Sequence, residues 1–230
     1  MDKSVKDHVG DLLRKSDFDR LLELCERDRR FWQQVRFRLY DIDERLRWSA
    51  VEMAAKLMQL WWNSGREEKV RIYIRTLFWS ISDESGGIGW SAPQTIAQII
   101  ACIPELIDPY GSMMIAYSID EPPLTKGCLW GIGRLGRRIT EPVDFFKDKI
   151  LAVFQADDGE ILGLAAWAMG EAGFIPALPF LQKLLSRPDP VRIYIDGDFR
   201  EKTLGQWAEE AISKTEKTGQ KRSDNFLVIV

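Results

Sequence analysis

Residues 129–138 read LWGIGRLGRR, in which Gly131, Gly133 and Gly136 spell G-x-G-x-x-G. Those letters cradle a dinucleotide phosphate only when the glycines follow a buried strand and open a helix. The residues before Gly131 follow the Pro122-Pro123 break and are too few and too poor in β-branched side chains for a central strand. No alternation of strands and helices surrounds them. A second meaning appears when the chain is laid along itself. Trp167-Ala168-Met169-Gly170-Glu171-Ala172-Gly173 stands 37 residues further on and covers Trp130-Gly131-Ile132-Gly133-Arg134-Leu135-Gly136, tryptophan on tryptophan and two glycines on two. The glycines therefore read as parts of a repeat. Gly133 and Gly170 are small residues in a crowded helix, and Gly136 and Gly173 end that helix in a left-handed conformation.

The repeat extends upstream. Trp48-Ser49-Ala50 with Ala55 recurs as Trp90-Ser91-Ala92 with Ala97. Four copies begin at Leu46, Ile88, Leu124 and Ile161, a weaker fifth at Phe199, at spacings of 42, 36, 37 and 38 residues. That length suits two helices and two turns. Within 161–173, Ala165, Ala166 and Met169 share one face. Partner helices are predicted at 66–82, where Val70, Ile74, Leu77, Phe78 and Ile81 form a stripe, at 109–119, at 141–155 with Pro142 in the first turn, and at 175–186. Segments 29–40 and 46–62 make another pair, and 5–15 with 18–27 a capping pair. The count is about six hairpins.

The stretch 161–192, ILGLAAWAMGEAGFIPALPFLQKLLSRPDPVR, resembles the HEAT-like repeats named after phycobilisome (PBS) bilin lyases. Their pattern is similar to x-V-R-x-x-A-A-x-A-L-G-x-[IL]-G followed by a short helix and a V-R. Ala165, Ala166, Met169, Gly170, Gly173, Ala177, Leu181, Leu184, Leu185 and Val191-Arg192 match it. The resemblance covers 155–195 best and is detectable from 40 to 215. It implies an all-α fold, an α-α superhelix or solenoid of the armadillo-like helical kind. Bilin chemistry is not implied, because such repeats scaffold many functions.

One insertion breaks the pattern. Asp196-Gly197 lies in a β-rich run over 191–203, the signal of a type I′ hairpin. Thr203 with Gln206 then forms a capping box that opens a helix at 204–214. One solenoid domain over 1–214 is expected, then a polar, flexible tail over 215–230 whose apolar end, Phe226-Leu227-Val228-Ile229-Val230, either docks on its own chain, the preferred reading, or adds to a strand edge elsewhere.

The 45% hydrophobic and 29% charged residues are those of an ordinary globular chain. A net charge of −3 gives no overall field for a polyanion, which disfavours nucleic acid. No apolar run is long enough to span a bilayer, and a cytoplasmic location is the default. Cys25, Cys102 and Cys128 lack metal or disulfide spacing and read as buried reduced thiols. His8 is the only histidine, so Ser-His-Asp and Cys-His catalysis and His-rich metal sites fall away. No cofactor and no metal are expected.

Successive second helices of a solenoid line its concave face. At about 100° per residue, the third and seventh places of the repeat share a flank away from the Ala-Ala stripe. They hold Trp48 and Glu52, Trp90 and Gln94, Lys126 and Trp130, and Gly163 and Trp167, with Lys56, Gln98, Arg134, Arg137 and Glu171 further along. Two readings compete. The tryptophans fill ridges between neighbouring helices, their N–H groups bonded locally, or they form a row that grips a protein partner. The function expected is a non-enzymatic protein-binding scaffold. The alternative is a DNA-repair enzyme, since some alkyl-purine DNA glycosylases are similar HEAT-like solenoids; Trp130, Arg134, Arg137 and Arg138 would be part of that machinery.

Overall fold

Short acidic or hydroxyl side chains start many of the helices. Ser4 accepts from the Asp7 amide ahead of α1 (Val5–Arg14), Asp17 from Arg20 ahead of α2 (Phe18–Arg27), and Asp28 from Arg30 ahead of α3 (Arg29–Arg38). Asp43 accepts from Leu46 ahead of α4 (Glu44–Asn63). Each cap satisfies an amide the helix itself leaves open, and is worth about 1 kcal/mol. The computed structural model of the chain describes residues 4–82 and 89–227, with 218–227 as backbone alone. The beginning of the second copy at Ile88 and the last residues, Val228–Val230, lie outside the described residues.

Contacts along the chain divide it into two compact units, Met1–Glu105 and Leu106–Val230. In the first, α5 (Glu67–Trp79) and α6 (Ala92–Cys102) follow α4. The long α4 is the centre: it packs on α1, α2, α3, α5 and α6 and buries Leu46, Val51, Met53, Leu57 and Met58. The stripe expected on 66–82 is the core stripe of α5, with Val70, Ile74, Leu77 and Phe78 buried. The helix itself stops at Trp79.

The second unit runs through α7 (Ile107–Ser118), α8 (Pro122–Leu135), α9 (Thr140–Phe145), α10 (Lys147–Ala152), α11 (Gly159–Ala172) and α12 (Leu178–Leu184). It ends with β1 (Pro190–Ile195), β2 (Asp198–Thr203) and α13 (Leu204–Leu227). Here α11 lies between α8 and α13. Nearly every side chain from Leu162 to Ala172 is buried, which only small residues at close quarters permit. A methyl group added at Gly170 would stand 2.6 Å from Ala211 Cα, and one at Gly133 would enter the Trp167 ring. The G-x-G-x-x-G run is thus a helix and its end: Gly131 and Gly133 lie inside α8, and Gly136 caps it. Gly173 takes the left-handed conformation expected (φ 63°, ψ 39°). Gly136 also has positive φ (56°) but an extended ψ of −133°, and it leads into a 3-10 turn rather than closing the helix in the left-handed way.

The hairpin stands where Asp196-Gly197 put it. β1 pairs antiparallel with β2, Ile195 opposite Asp198, and the two turn residues have φ of 49° and 91°. Thr203 and Gln206 form the capping box in both directions, at 2.9 and 3.2 Å. Three further expectations differ from the structure. The segment 141–155 is not one helix but α9, α10 and a 3-10 turn, although Val143 and Ile150, both buried, keep a seven-residue spacing. The fifth copy begins in β2, because hairpin pairing claims Phe199–Thr203 before α13 opens. The flexible tail expected from 215 is instead a continuation of α13 to Leu227, fastened at its base by Lys214 Nζ to Glu171 (2.5 Å) and by burial of Thr215.

Candidate binding groove

The tryptophan flank comes first, each half within its own unit. In the second unit Trp130 and Trp167 are 4% and 6% exposed, with ring centres 6.4 Å apart. Trp130 donates its indole N–H to the Tyr194 carbonyl (2.6 Å), and Trp167 donates to Glu171 (3.1 Å). Trp207 donates to the Val191 carbonyl (3.1 Å), so two indoles hold β1 against the helices. Arg134 pairs with Asp196 at the hairpin turn (3.3 Å), and Arg137 is exposed. Lys126 fastens α8 to α11 through Asp158 (2.9 Å) and Glu160 (2.5 Å). In the first unit Trp48 is 9% exposed and Glu52 and Gln94 are half-buried. The Gln94 carbonyl oxygen has no hydrogen-bond partner among the described residues. Trp90 is 65% exposed. Packing therefore accounts for Trp48, Trp130 and Trp167, and of this row only Trp90 stands well out in solvent.

The open aromatic surface lies elsewhere, between α3 and α5, the first helices of two successive hairpins. Each carries its core stripe on one side and a second stripe on the other. On α3 and just past it that second stripe is Trp32, Arg36, Phe37 and Tyr40. On α5 it is Lys69, Ile72, Tyr73, Thr76 and Trp79. Residues three and four apart share a helix face, so these side chains line the two walls of one groove. It has two adjoining halves, of about 450 and 320 Å³, which share Arg36, Tyr73 and Thr76.

The larger half is aromatic and cationic. Trp32 meets Trp61 and Tyr73 edge to face, with ring centres 6.1 and 5.0 Å apart. Lys69 Nζ sits 4.2 Å from the Trp61 ring centre, and the Arg36 guanidinium 5.9 Å from that of Tyr73. Its acid is Glu26, already engaged. Glu26 accepts from the Trp61 indole (2.6 Å) and pairs with Arg66 (2.7 Å). The hydrogen bond from Arg66 outweighs the cost of burial, and with the help of the indole it holds the Glu26 carboxyl below the ordinary carboxylate range. Arg29, Arg36 and Lys69 make no ion pair among the described residues. Cys25 borders this half as a buried thiol, pushed up to about 12 by desolvation and then by Glu26, so it is no nucleophile at neutral pH. Cys128 is likewise buried and raised, and Cys102 is half-buried.

The smaller half is apolar and open. Phe37, Tyr40 and Trp79 line it, all more than half exposed, Trp79 at 58%. Tyr73 forms part of both halves; its ring is buried and its hydroxyl has no hydrogen-bond partner among the described residues. A buried hydroxyl left so costs about 1–3 kcal/mol. The groove was not singled out from the sequence, yet a signal was there. Ile72 and Trp79 fall off the core stripe of α5, and Phe37 and Tyr40 off that of α3. Large apolar residues on the solvent side of an amphipathic helix mark an interaction surface.

Among the described residues no group of three His, Cys, Asp or Glu is placed to hold a metal ion, and no helix is long and apolar enough to cross a membrane. No established family profile matches the chain. A protein of Archaeoglobus fulgidus described as uncharacterised is 28% identical over 139 residues, 59% of this chain and 70% of that one. Among solved structures, a designed armadillo repeat protein in complex with the peptide (KR)4 is similar, with a TM-score of 0.54 and 18% identity over 88% of this chain and 91% of that chain. At that identity the likeness concerns fold. The protein is a mostly helical, armadillo-like repeat chain carrying a small β-hairpin.

Proposed function

We propose that this protein is a non-enzymatic scaffold of HEAT-like repeats, of the PBS-lyase pattern carried by 161–192, and that it holds a partner protein in the α3/α5 groove of its first unit. One observation carries the reading: an aromatic cleft in which Arg29, Arg36 and Lys69 make no ion pair among the described residues runs directly into an exposed patch of Phe37, Tyr40 and Trp79. Tryptophan, tyrosine and arginine side by side are the residue types that dominate protein–protein binding energy. The designed armadillo protein, solved with a peptide bound, supports the capacity of such a fold to take one. The expected concave tryptophan row contributes little to this reading, because packing takes up three of its four indoles.

The glycosylase alternative is disfavoured by the same geometry. Trp130 is buried with its N–H engaged, and Arg134 is paired with Asp196. Three cations without ion pairs in one groove are also few for a duplex track in a chain of net charge −3.

A photo-crosslinking amino acid placed at Phe37 or Trp79 in the native host tests the proposal. Phe145 in the second unit, 79% exposed, serves as the control position. A discrete adduct from the groove positions, missing from Phe145, is expected. The same adducts from all three positions, or none from the groove, would overturn it.

A further inference from the structure

The chemistry of the groove names its occupant. We infer that the α3/α5 groove binds an extended acidic segment of a partner protein, its carboxylates in the Trp61 half and one large apolar side chain in the Trp79 half. This inference rests on the groove being the binding surface.

The argument is one of charge and length. Arg29, Arg36, Arg66 and Lys69 line the larger half against one carboxylate among the described residues, that of Glu26, in a chain whose net charge is −3. Arg66 is committed to Glu26, which leaves three cations for a ligand. Two of them are already positioned over rings, Lys69 over Trp61 and Arg36 over Tyr73, so less side-chain freedom is lost when a carboxylate arrives. From Lys69 to Trp79 the helix rises about 15 Å at ~1.5 Å per residue. An extended peptide covers that in about five residues at ~3.3 Å each. Three acidic positions followed within two or three residues by a phenylalanine or leucine therefore span both halves. The (KR)4 peptide of the designed armadillo protein has the opposite charge, so a shared fold carries different ligand chemistry here.

Fluorescence anisotropy of the full-length protein tests this with four dye-labelled probes. They are a hexapeptide of three glutamates, serine, leucine and phenylalanine, its glutamine and lysine counterparts, and a short oligothymidylate. The acidic peptide should bind at least about ten-fold tighter than the glutamine peptide at low salt, and the gap should narrow as salt rises. Arg29→Gln with Lys69→Gln, both exposed positions, should weaken the acidic peptide about ten-fold and leave the glutamine peptide unchanged. Arg29→Glu with Lys69→Glu should turn the preference toward the lysine peptide. Trp79→Ala should weaken acidic and glutamine peptides alike, because it removes the apolar anchor. Equal or tighter binding of the glutamine or lysine peptide to the unaltered protein would overturn the inference, as would tighter binding of the oligothymidylate or no binding of the acidic peptide. Groove crosslinks to a partner lacking any acidic segment would sink the inference and leave the proposed function standing. An absence of groove crosslinks would remove both.

Discussion

The second unit buries all three of its tryptophans, whereas the first leaves Trp79 and Trp90 in solvent. In the second, Trp130, Trp167 and Trp207 are buried and their indole N–H groups are bonded to Tyr194, Glu171 and Val191. They hold a hairpin and a glycine-lined helix interface together. In the first, Trp32 and the largely buried Trp61 line a groove, Lys69 sits on the Trp61 ring, and Trp79 stands exposed in the adjoining half. An indole surrounded by glycine and alanine sinks into the core. Trp79, off the core stripe of the amphipathic α5, stays at the surface. The residues around a tryptophan decide its role more than the repeat position it occupies.

The largest effect that tests this contrast is on stability. Trp130→Ala should cost about 3–5 kcal/mol in chemical denaturation, because it leaves a cavity and removes the hydrogen bond to the Tyr194 carbonyl. Trp79→Ala should change stability by less than about 0.5 kcal/mol. Similar losses from both would erase the distinction between core and surface tryptophans. Next is Gly170→Ala, whose new methyl would stand 2.6 Å from Ala211 Cα; about 1–3 kcal/mol of destabilisation is expected in the same assay. A neutral result would mean that α11 and α13 separate easily.

Acid offers a smaller handle, read at the groove. The folded Glu26 carboxyl is depressed by Arg66, so its contribution is fully present above the unfolded value of about 4.3 and is lost as pH falls through the lower folded value. Tryptophan fluorescence followed by acid titration should change in that window, and Glu26→Gln should remove the change. The smallest effect concerns Tyr73. Tyr73→Phe removes a hydroxyl without a described partner and should raise stability by up to about 1 kcal/mol, measured by thermal unfolding. A loss instead would mean that the hydroxyl is hydrogen-bonded in solution.

Much of the fold was legible because repeats impose their period on the chain. Gly173, the Asp196-Gly197 turn and the Thr203/Gln206 box act through local backbone chemistry, which sequence spells directly, and Gly133 and Gly170 are legible because the repeat aligns them. The break at Phe146 and the run of α13 past Lys214 were not legible. The first interrupts an intact apolar spacing, and the second goes with the burial of Thr215 and the contact of Lys214 with Glu171, 43 residues away. The groove was hidden for a related reason. Repeat alignment directs attention to second helices, whereas Phe37, Tyr40 and Trp79 lie on or just past first helices, whose outer faces the alignment leaves unread.

The division between the units can be read in one titration. The nine tryptophans give nine indole N–H signals in a nitrogen-edited NMR spectrum, assigned by single Trp→Phe replacements, to which the acidic, phenylalanine-bearing hexapeptide is added. Shifts at Trp32, Trp61 and Trp79 are expected, with Trp130, Trp167 and Trp207 unmoved. Shifts confined to the last three, or absent from the first three, would contradict the assignment of binding to the α3/α5 groove.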